Sequence, residues 1–385
     1  MRVAHVITRL IVGGAQENTV STVLGLHKKP GVEVRLYCGP TTGLEGSLEP
    51  LVENIDGLFH RVPKLIRPIR PLSDWLAFRQ LKSAFESFRP DVVHTHSGKA
   101  GFIGRLAAKR AGVPLIIHSI HGPSFGQFQG RLANGMFRSA ERFAGRMTDH
   151  FVTVANAMRD QYLAAGIGQA DDYTRIPSGF DLQPFLDAEN SAAKRESLGL
   201  SPGDFVVGKI ARLFELKGHD DLFAIAPRLA KRIPNIRFLL VGDGVWRERF
   251  ERLAKQIGCE KNFIFTGLVP PAEIPSLVGV MDTLVHLSRR EGLPRALPQA
   301  MAAAKPVVAF DCDGAGEVCL DEETGYLIKP GDLAKLDERL AKLAEDAALR
   351  AALGQAGQSL VKKEFTVEQL VERQYELYQR LLAEA

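Results

Sequence analysis

The stretch Phe205-Val-Val-Gly-Lys-Ile-Ala-Arg212-Leu-Phe-Glu-Leu-Lys217-Gly218 decides the architecture. Its first part, Phe205–Ala211, is a short β-branched and apolar run. A basic loop follows, and then an amphipathic stretch, Asp220–Lys231. A buried strand feeding a helix is the repeating unit of a parallel sheet with crossover helices. Toward the C-terminus the alternation continues, with strands predicted at Ile236–Gly242, Phe263–Thr266, Thr283–Leu287 and Pro306–Phe310. Helices are predicted near Val245–Gln256, Pro271–Val278 and Leu297–Ala303. Toward the N-terminus the pattern repeats, with strands at Val3–Thr8, Val32–Tyr37, Asp91–Thr95, Leu115–Ser119 and His150–Val154. Gln16–His27, Leu72–Phe88, Lys99–Ala111 and Arg131–Arg146 are the helices between them. Proline and glycine mark loops re-entering the sheet, as in Arg89-Pro90-Asp91 and Gly112-Val113-Pro114. The pattern predicts an α/β protein with two doubly wound domains in tandem, 1–187 and 188–365, and a final helix, Thr366–Ala385. Ligands of such sheets sit beyond the carboxyl ends of the strands, so a cleft between two facing domains is the expected active site.

Composition agrees. A chain of 385 residues, 45% hydrophobic and 24% charged, is globular and holds more than one domain. Cys38, Cys259, Cys312 and Cys319 form no C-x-x-C pair, which argues against a disulfide framework or structural zinc and for a reducing cytoplasm. No apolar run reaches the roughly 18 residues of a membrane span. Arg9 interrupts the leading apolar stretch, so no signal peptide is expected. Charge is uneven: residues 60–146 carry 15 basic against 4 acidic residues. Either these are solvated helix faces, or the first half meets an acidic surface or substrate.

Three places carry candidate chemistry. Gly13-Gly14 joins the first strand to its helix, where backbone can approach a ligand and free N–H groups face an anion. A plain strand-to-helix turn would use glycine as well. Arg212 and Lys217 end the first strand of the second domain, a position suited to clamping a diphosphate. Two solvated cations are the alternative. Glu291 opens the loop Glu291-Gly292-Leu293-Pro294 after a strand, where a carboxylate could accept sugar hydroxyls and loop N–H groups could cover phosphate. Two further motifs look like metal sites and are read otherwise. Asp311-Cys-Asp313 follows a core strand and leads into Gly316-Glu317. His94-Thr-His96 is taken as a strand-end pair pointing to opposite faces, with no third ligand. Neither metal nor cofactor is expected.

In combination these stretches resemble the retaining, nucleotide-sugar-dependent glycosyltransferases known as group 1 or family 4. The resemblance rests on Gly13-Gly14, Ile176-Pro-Ser-Gly179-Phe-Asp181, Ala211-Arg212-Leu-x3-Lys217-Gly218, and Ser288-Arg-Arg-Glu291-Gly-Leu-Pro294 through Pro306-Val-Val308. Val241-Gly-Asp-Gly244, Phe265-Thr-Gly267 and Gly316-Glu317 fall where the family has equivalents. It implies a GT-B fold: two Rossmann-like domains facing a central cleft, the first holding the acceptor, the second the donor, and the last helix crossing back to the first. By the same resemblance Arg212 and Lys217 bind the donor diphosphate. Glu291 holds sugar hydroxyls, Gly292, Leu293 and Pro294 support sugar and phosphate, and Gly267 lies near the base. His121, in His118-Ser-Ile-His121, corresponds to a histidine at the edge of the sugar site. One position departs from the family, whose second glutamate, a ribose ligand, is replaced here by Gln299. An amide loses charge assistance there. The turn Ala303-Ala304-Lys305-Pro306 also lacks a common glycine.

The implied reaction is metal-independent hexosyl transfer with retention, from a UDP- or GDP-sugar to a glycan or glycolipid acceptor. Arg212, Lys217 and helix N-termini would stabilise the leaving diphosphate. The mixed aromatic and basic segment Gly126–Arg138 could lie on an anionic inner leaflet, or be a core-facing helix with a solvated face. A peripheral, cytoplasmic location follows. Two rivals are a nucleotide-sugar 2-epimerase on the same fold and a non-catalytic nucleotide-sugar-binding protein. Nucleic-acid binding is not expected, because the basic residues come without a nucleic-acid motif.

Overall fold

The structure, a computed structural model, describes residues 1–42, 46–126 and 128–384. It divides into two compact units, Met1–Phe180 together with Thr366–Ala385, and Asp181–Phe365. The first unit ends at Phe180 rather than 187, and the short helix Gln183–Leu186 packs on helices of the second.

The first unit holds β1 (Arg2–Ile7), β2 (Glu33–Cys38), β3 (Phe59–Arg61), β4 (Val92–His96), β5 (Leu115–Ile120), β6 (His150–Thr153) and β7 (Tyr173–Arg175). They form one parallel sheet in the order β3-β2-β1-β4-β5-β6-β7. The second unit holds β8 (Phe205–Ile210), β9 (Ile236–Val241), β10 (Phe263–Gly267), β11 (Thr283–His286), β12 (Val307–Phe310) and β13 (Gly325–Ile328). Its parallel order is β10-β9-β8-β11-β12-β13. Chain order reverses between β1 and β4 in one sheet and between β8 and β11 in the other. Those are the switch points at which doubly wound sheets open a ligand crevice. Central strands are buried on both faces, which is why they read as continuous apolar runs.

Three strands escaped sequence reading: β3, β7 and β13. Each is an edge strand of three or four residues, too short to show a period. The helices Asn156–Ala164, Leu333–Glu345 and Ala347–Glu364 were not anticipated either.

The last helix, Val367–Glu384, packs on Gly14–His27. Leu370, Val371, Leu377 and Tyr378 join Val3, Ile7, Val92 and Leu115 in one buried cluster. A Cβ on Gly25 would fall 2.2 Å from Val371, so glycine is what lets the two helices close. Lys29 pairs with Glu372 at the rim. The second unit's core gathers Leu222, Phe223, Phe238, Phe250 and Phe310 around its sheet.

Candidate active site at the two switch points

In the second unit the chain leaves β8 and passes close beneath two glycines. A Cβ on Gly242 or Gly244 would come within 2.4 Å of the Ala211 or Leu213 carbonyl oxygen. Leu216 (φ 65°) and Gly218 (φ 67°) then turn the chain into the helix His219–Arg232. At Gly218 a Cβ would stand 1.9 Å from the Leu287 carbonyl, so no side chain fits there. This turn brings Lys217 to the end of β11, where its Nζ lies 2.5 Å from Glu291 Oε1.

The Glu291 loop is stitched down on both sides. The Glu291 amide donates to the Asp313 carboxylate at 2.7 Å, and the Gly314 amide donates to the Gly292 carbonyl at 3.1 Å. Arg289 donates its amide to Leu216 O (2.8 Å) and its guanidinium to Asp221 (2.7 Å). Asp313 therefore supports the loop that carries Glu291. His286, the last residue of β11, places Nε2 3.5 Å from Glu291. Burial works against ionisation of Glu291, but the His286 imidazole and Lys217 ammonium beside it prevail and hold its carboxyl well below the usual range. Lys209 on β8 is buried, and its Nζ has no hydrogen-bond partner among the described residues. Burial first, and the Lys217 charge second, pull its ammonium down to about 7.

The remaining predicted positions of this unit fall on the Glu291 loop, the helix after it, the loop after β8 and the end of β10. Gly292, Leu293 and Pro294 are buried in the loop. Gln299 is half-buried on the helix Ala296–Ala302. Arg212 is exposed, its guanidinium 5.9 Å over the Phe214 ring, and its charge is not tied to Lys217 by any contact the structure records. Gly267 ends β10 with φ 72°, and its carbonyl accepts from the Gly242 amide.

In the first unit Gly13 and Gly14 open the helix Gly14–His27, and Gly13 is extended, a conformation open to any residue. His121 follows β5 directly, and its Nε2 lies 3.0 Å from His96 Nδ1. The two histidines of His94-Thr-His96 share one face, correcting the expectation above. Residues two apart on a strand point the same way, and their rings stack with centroids 4.4 Å apart. A third histidine was also missed, His5, which pairs with His94 across β1 and β4. His5, His94 and His96 are, among the described residues, the group whose ligand atoms lie close enough to suit a metal ion. His118 faces elsewhere: Thr95 Oγ1 lies 2.9 Å from its Nδ1, and a Cβ on Gly101 would strike its ring at 2.5 Å.

Residues 190–360 match the family described as glycosyl transferases group 1, and residues 13–179 match the glycosyl transferase 4-like domain. The chain belongs to the group 1 glycosyltransferases. It is 26% identical over 353 residues to an Escherichia coli enzyme named UDP-Gal:alpha-D-GlcNAc-diphosphoundecaprenol alpha-1,3-galactosyltransferase, covering 91% of this chain and 89% of that one. It is 31% identical over 258 residues to a Mycolicibacterium smegmatis GDP-mannose-dependent alpha-(1-6)-phosphatidylinositol monomannoside mannosyltransferase, covering 65% and 66%. Among solved structures it superposes on Anabaena HepE, crystallised with UDP, at a TM-score of 0.82 and 21% identity, covering 99% and 100% of the two chains. That likeness establishes a GT-B fold for this glycosyltransferase. In its second unit Lys217, Glu291, the Gly292–Pro294 loop and Asp313 meet at the switch point, with His286 beside them. The strand positions of His5, His94 and His96 were the signal available for the histidine cluster of the first unit.

Proposed function

We propose that this glycosyltransferase moves a hexose from a nucleoside-diphosphate sugar, UDP- or GDP-linked, to a hydroxyl of a lipid-linked or cell-envelope glycan. The carrying observation is the Lys217–Glu291 pair at the β8/β11 switch point, with Arg212 exposed five positions before Lys217. Glu291, held ionised, accepts sugar hydroxyls, and the cations meet the diphosphate as its charge develops. Lys217 then exchanges part of its pairing with Glu291 for phosphate. In this reading Gly267 borders the base and Gln299 faces the ribose. Gly13 and Gly14 offer backbone N–H groups from the first unit, and His121 contacts the sugar. Transfer proceeds with retention and without a metal. Relatives that use UDP-galactose and GDP-mannose on lipid-borne acceptors favour transfer over epimerisation.

The acceptor side is the helix Arg131–Gly145. Leu132, Met136 and Phe143 are exposed and lie within about 40° of one another at 100° per residue. Arg131, Arg138, Arg142 and Arg146 flank them. That face suits a peripheral position on an anionic membrane. No helix among the described residues is long and apolar enough to cross one. Gln127, within the segment first singled out, lies outside the described residues.

The test is a panel of UDP-, GDP- and ADP-sugars, read by thermal shift and by nucleotide release with and without glycolipid acceptor. One donor should raise the melting temperature. Arg212→Ala and Lys217→Ala should each cut kcat/KM at least about a hundredfold, the scale of a lost charge-stabilising group. NMR of the product should show the donor's anomeric configuration. Silence toward every donor overturns the reading.

A further inference from the structure

The histidines at the β1/β4 switch point form one continuous hydrogen-bonded chain. His121 Nε2 lies 3.0 Å from His96 Nδ1, and His96 Nε2 lies 3.0 Å from His5 Nδ1. His5 Nε2 then reaches the Tyr378 hydroxyl at 3.5 Å. That hydroxyl lies 2.5 Å from His94 Nδ1, and His94 Nε2 lies 2.7 Å from Ser119 Oγ. We propose that this chain sets the tautomer of His121, with His96, His5 and Tyr378 as positioning residues that make His121 Nδ1 a hydrogen-bond acceptor for a substrate hydroxyl. The proposal rests on the reading that His121 meets the substrate.

A neutral imidazole carries one N–H and one bare nitrogen, so each ring passes a direction to the next. Burial keeps these rings neutral. It is the largest influence on all four, pulling His121 down to about 4 and His5 to about 3, with His94 and His96 well below their ordinary value. The direction is set at Tyr378. In the proposed relay Tyr378 is assigned as the donor in the 2.5 Å contact with His94 Nδ1, since hydroxyl donors make the shorter bonds, and His94 Nε2–H is left for Ser119 Oγ. The Tyr378 oxygen then accepts from His5 Nε2–H. His5 Nδ1 must accept from His96 Nε2–H, and His96 Nδ1 from His121 Nε2–H. The last lone pair, on His121 Nδ1, is buried and has no partner among the described residues. Buried polar atoms are rarely left so without a purpose.

The same residues could instead hold a metal ion, but every ring nitrogen of His5, His94 and His96 is already engaged. Among the described residues no carboxylate joins them, and the His94 and His96 rings stack. The chain also gives the final helix a purpose. Tyr378 is fully buried and, among the described residues, its hydroxyl joins the His5 and His94 arms by hydrogen bonds.

The experiment is NMR of isotope-labelled histidine nitrogens in the ligand-free full-length enzyme, alongside transfer kinetics. In wild type, His121, His96 and His5 should all be Nε2–H tautomers. Tyr378→Phe, which keeps the ring and its packing, should scramble those tautomers and lower kcat about tenfold with donor KM within twofold, the size of one hydrogen bond. His96→Gln should keep more activity than His96→Leu, and this pair decides the matter if Tyr378→Phe does not fold. An unchanged His121 tautomer together with unchanged kcat in Tyr378→Phe overturns the relay. So does stoichiometric metal found on the purified enzyme and lost from His5→Ala. A wild type that transfers no sugar overturns the functional reading instead, while the ligand-free tautomers still decide the relay.

Discussion

At the residue scale the second unit's switch point is held by charge at close range. Lys217 is half-buried and committed to Glu291. Lys209, on β8 itself, has no such partner among the described residues. A buried amine without a hydrogen bond carries a desolvation cost. Replacing it by an apolar side chain of similar length removes that cost, so Lys209→Met should stabilise the protein by about 1–3 kcal/mol. Urea unfolding midpoints read this directly. Gln299 makes a second prediction. If it faces the donor ribose, Gln299→Glu restores charge-assisted acceptance from two hydroxyls and should tighten donor binding about tenfold. Calorimetric titration with the donor checks it, and unchanged affinity would place the ribose elsewhere. Ala304 supplies the departure noted in its turn: it adopts φ 53°, the conformation for which glycine is the common choice.

At the element scale, charge that looked like a surface field in the sequence is partly structural. Arg105 belongs to the basic 60–146 region, yet it is fully buried on the helix Gly98–Arg110. Its Nη2 bonds Glu141 Oε2 at 2.8 Å on the helix Arg131–Gly145, and its Nε donates to Gly101 O. Removing one member leaves the other charge buried, so Arg105→Ala should destabilise by about 3–5 kcal/mol. Replacing both partners together by well-packed apolar residues should cost far less. Thermal unfolding of the single and double variants tests the difference. Lys99 is likewise engaged by Asp74. The exposed part of the positive field is therefore carried by residues such as Arg131, Arg142 and Arg146.

At the scale of the whole molecule the buried histidines make acid the weak side of the stability curve. His5, His94, His96, His118, His121 and His150 are all lowered from 6.5 in the folded state, with burial the largest cause in each. The unfolded chain binds these protons near pH 6.5 and the folded chain resists them. Their stabilisation is therefore complete above pH 6.5 and is lost as pH falls toward 4 and below. Each group costs about 1.4 kcal/mol per pH unit within that window. Urea midpoints measured from pH 7.5 to 4.5 should fall steeply below 6.5. A flat profile would mean that these rings take up protons as readily in the folded as in the unfolded chain.

By itself the sequence determined the alternation of strand and helix, the two doubly wound units and the family. Those follow from local periodicity and from motifs in which glycine or charge must stand at a fixed place along the chain. The placement of Lys217, Glu291 and Gly292 on the loops that follow β8 and β11 was legible for the same reason. Edge strands of three residues carry too little pattern to be read. Only the tertiary structure brought His5, His94, His96, His121 and Tyr378 into one chain, because their contacts join residues up to 373 positions apart. Strand order β1-β4-β5 and the return of the last helix place them together, and no local spacing records either. Asp313 as the support of Glu291, and Arg105 as an interior ion pair, were decided in the same way. A side chain's role there depends on which neighbour shields it from water, and that neighbour is chosen by packing.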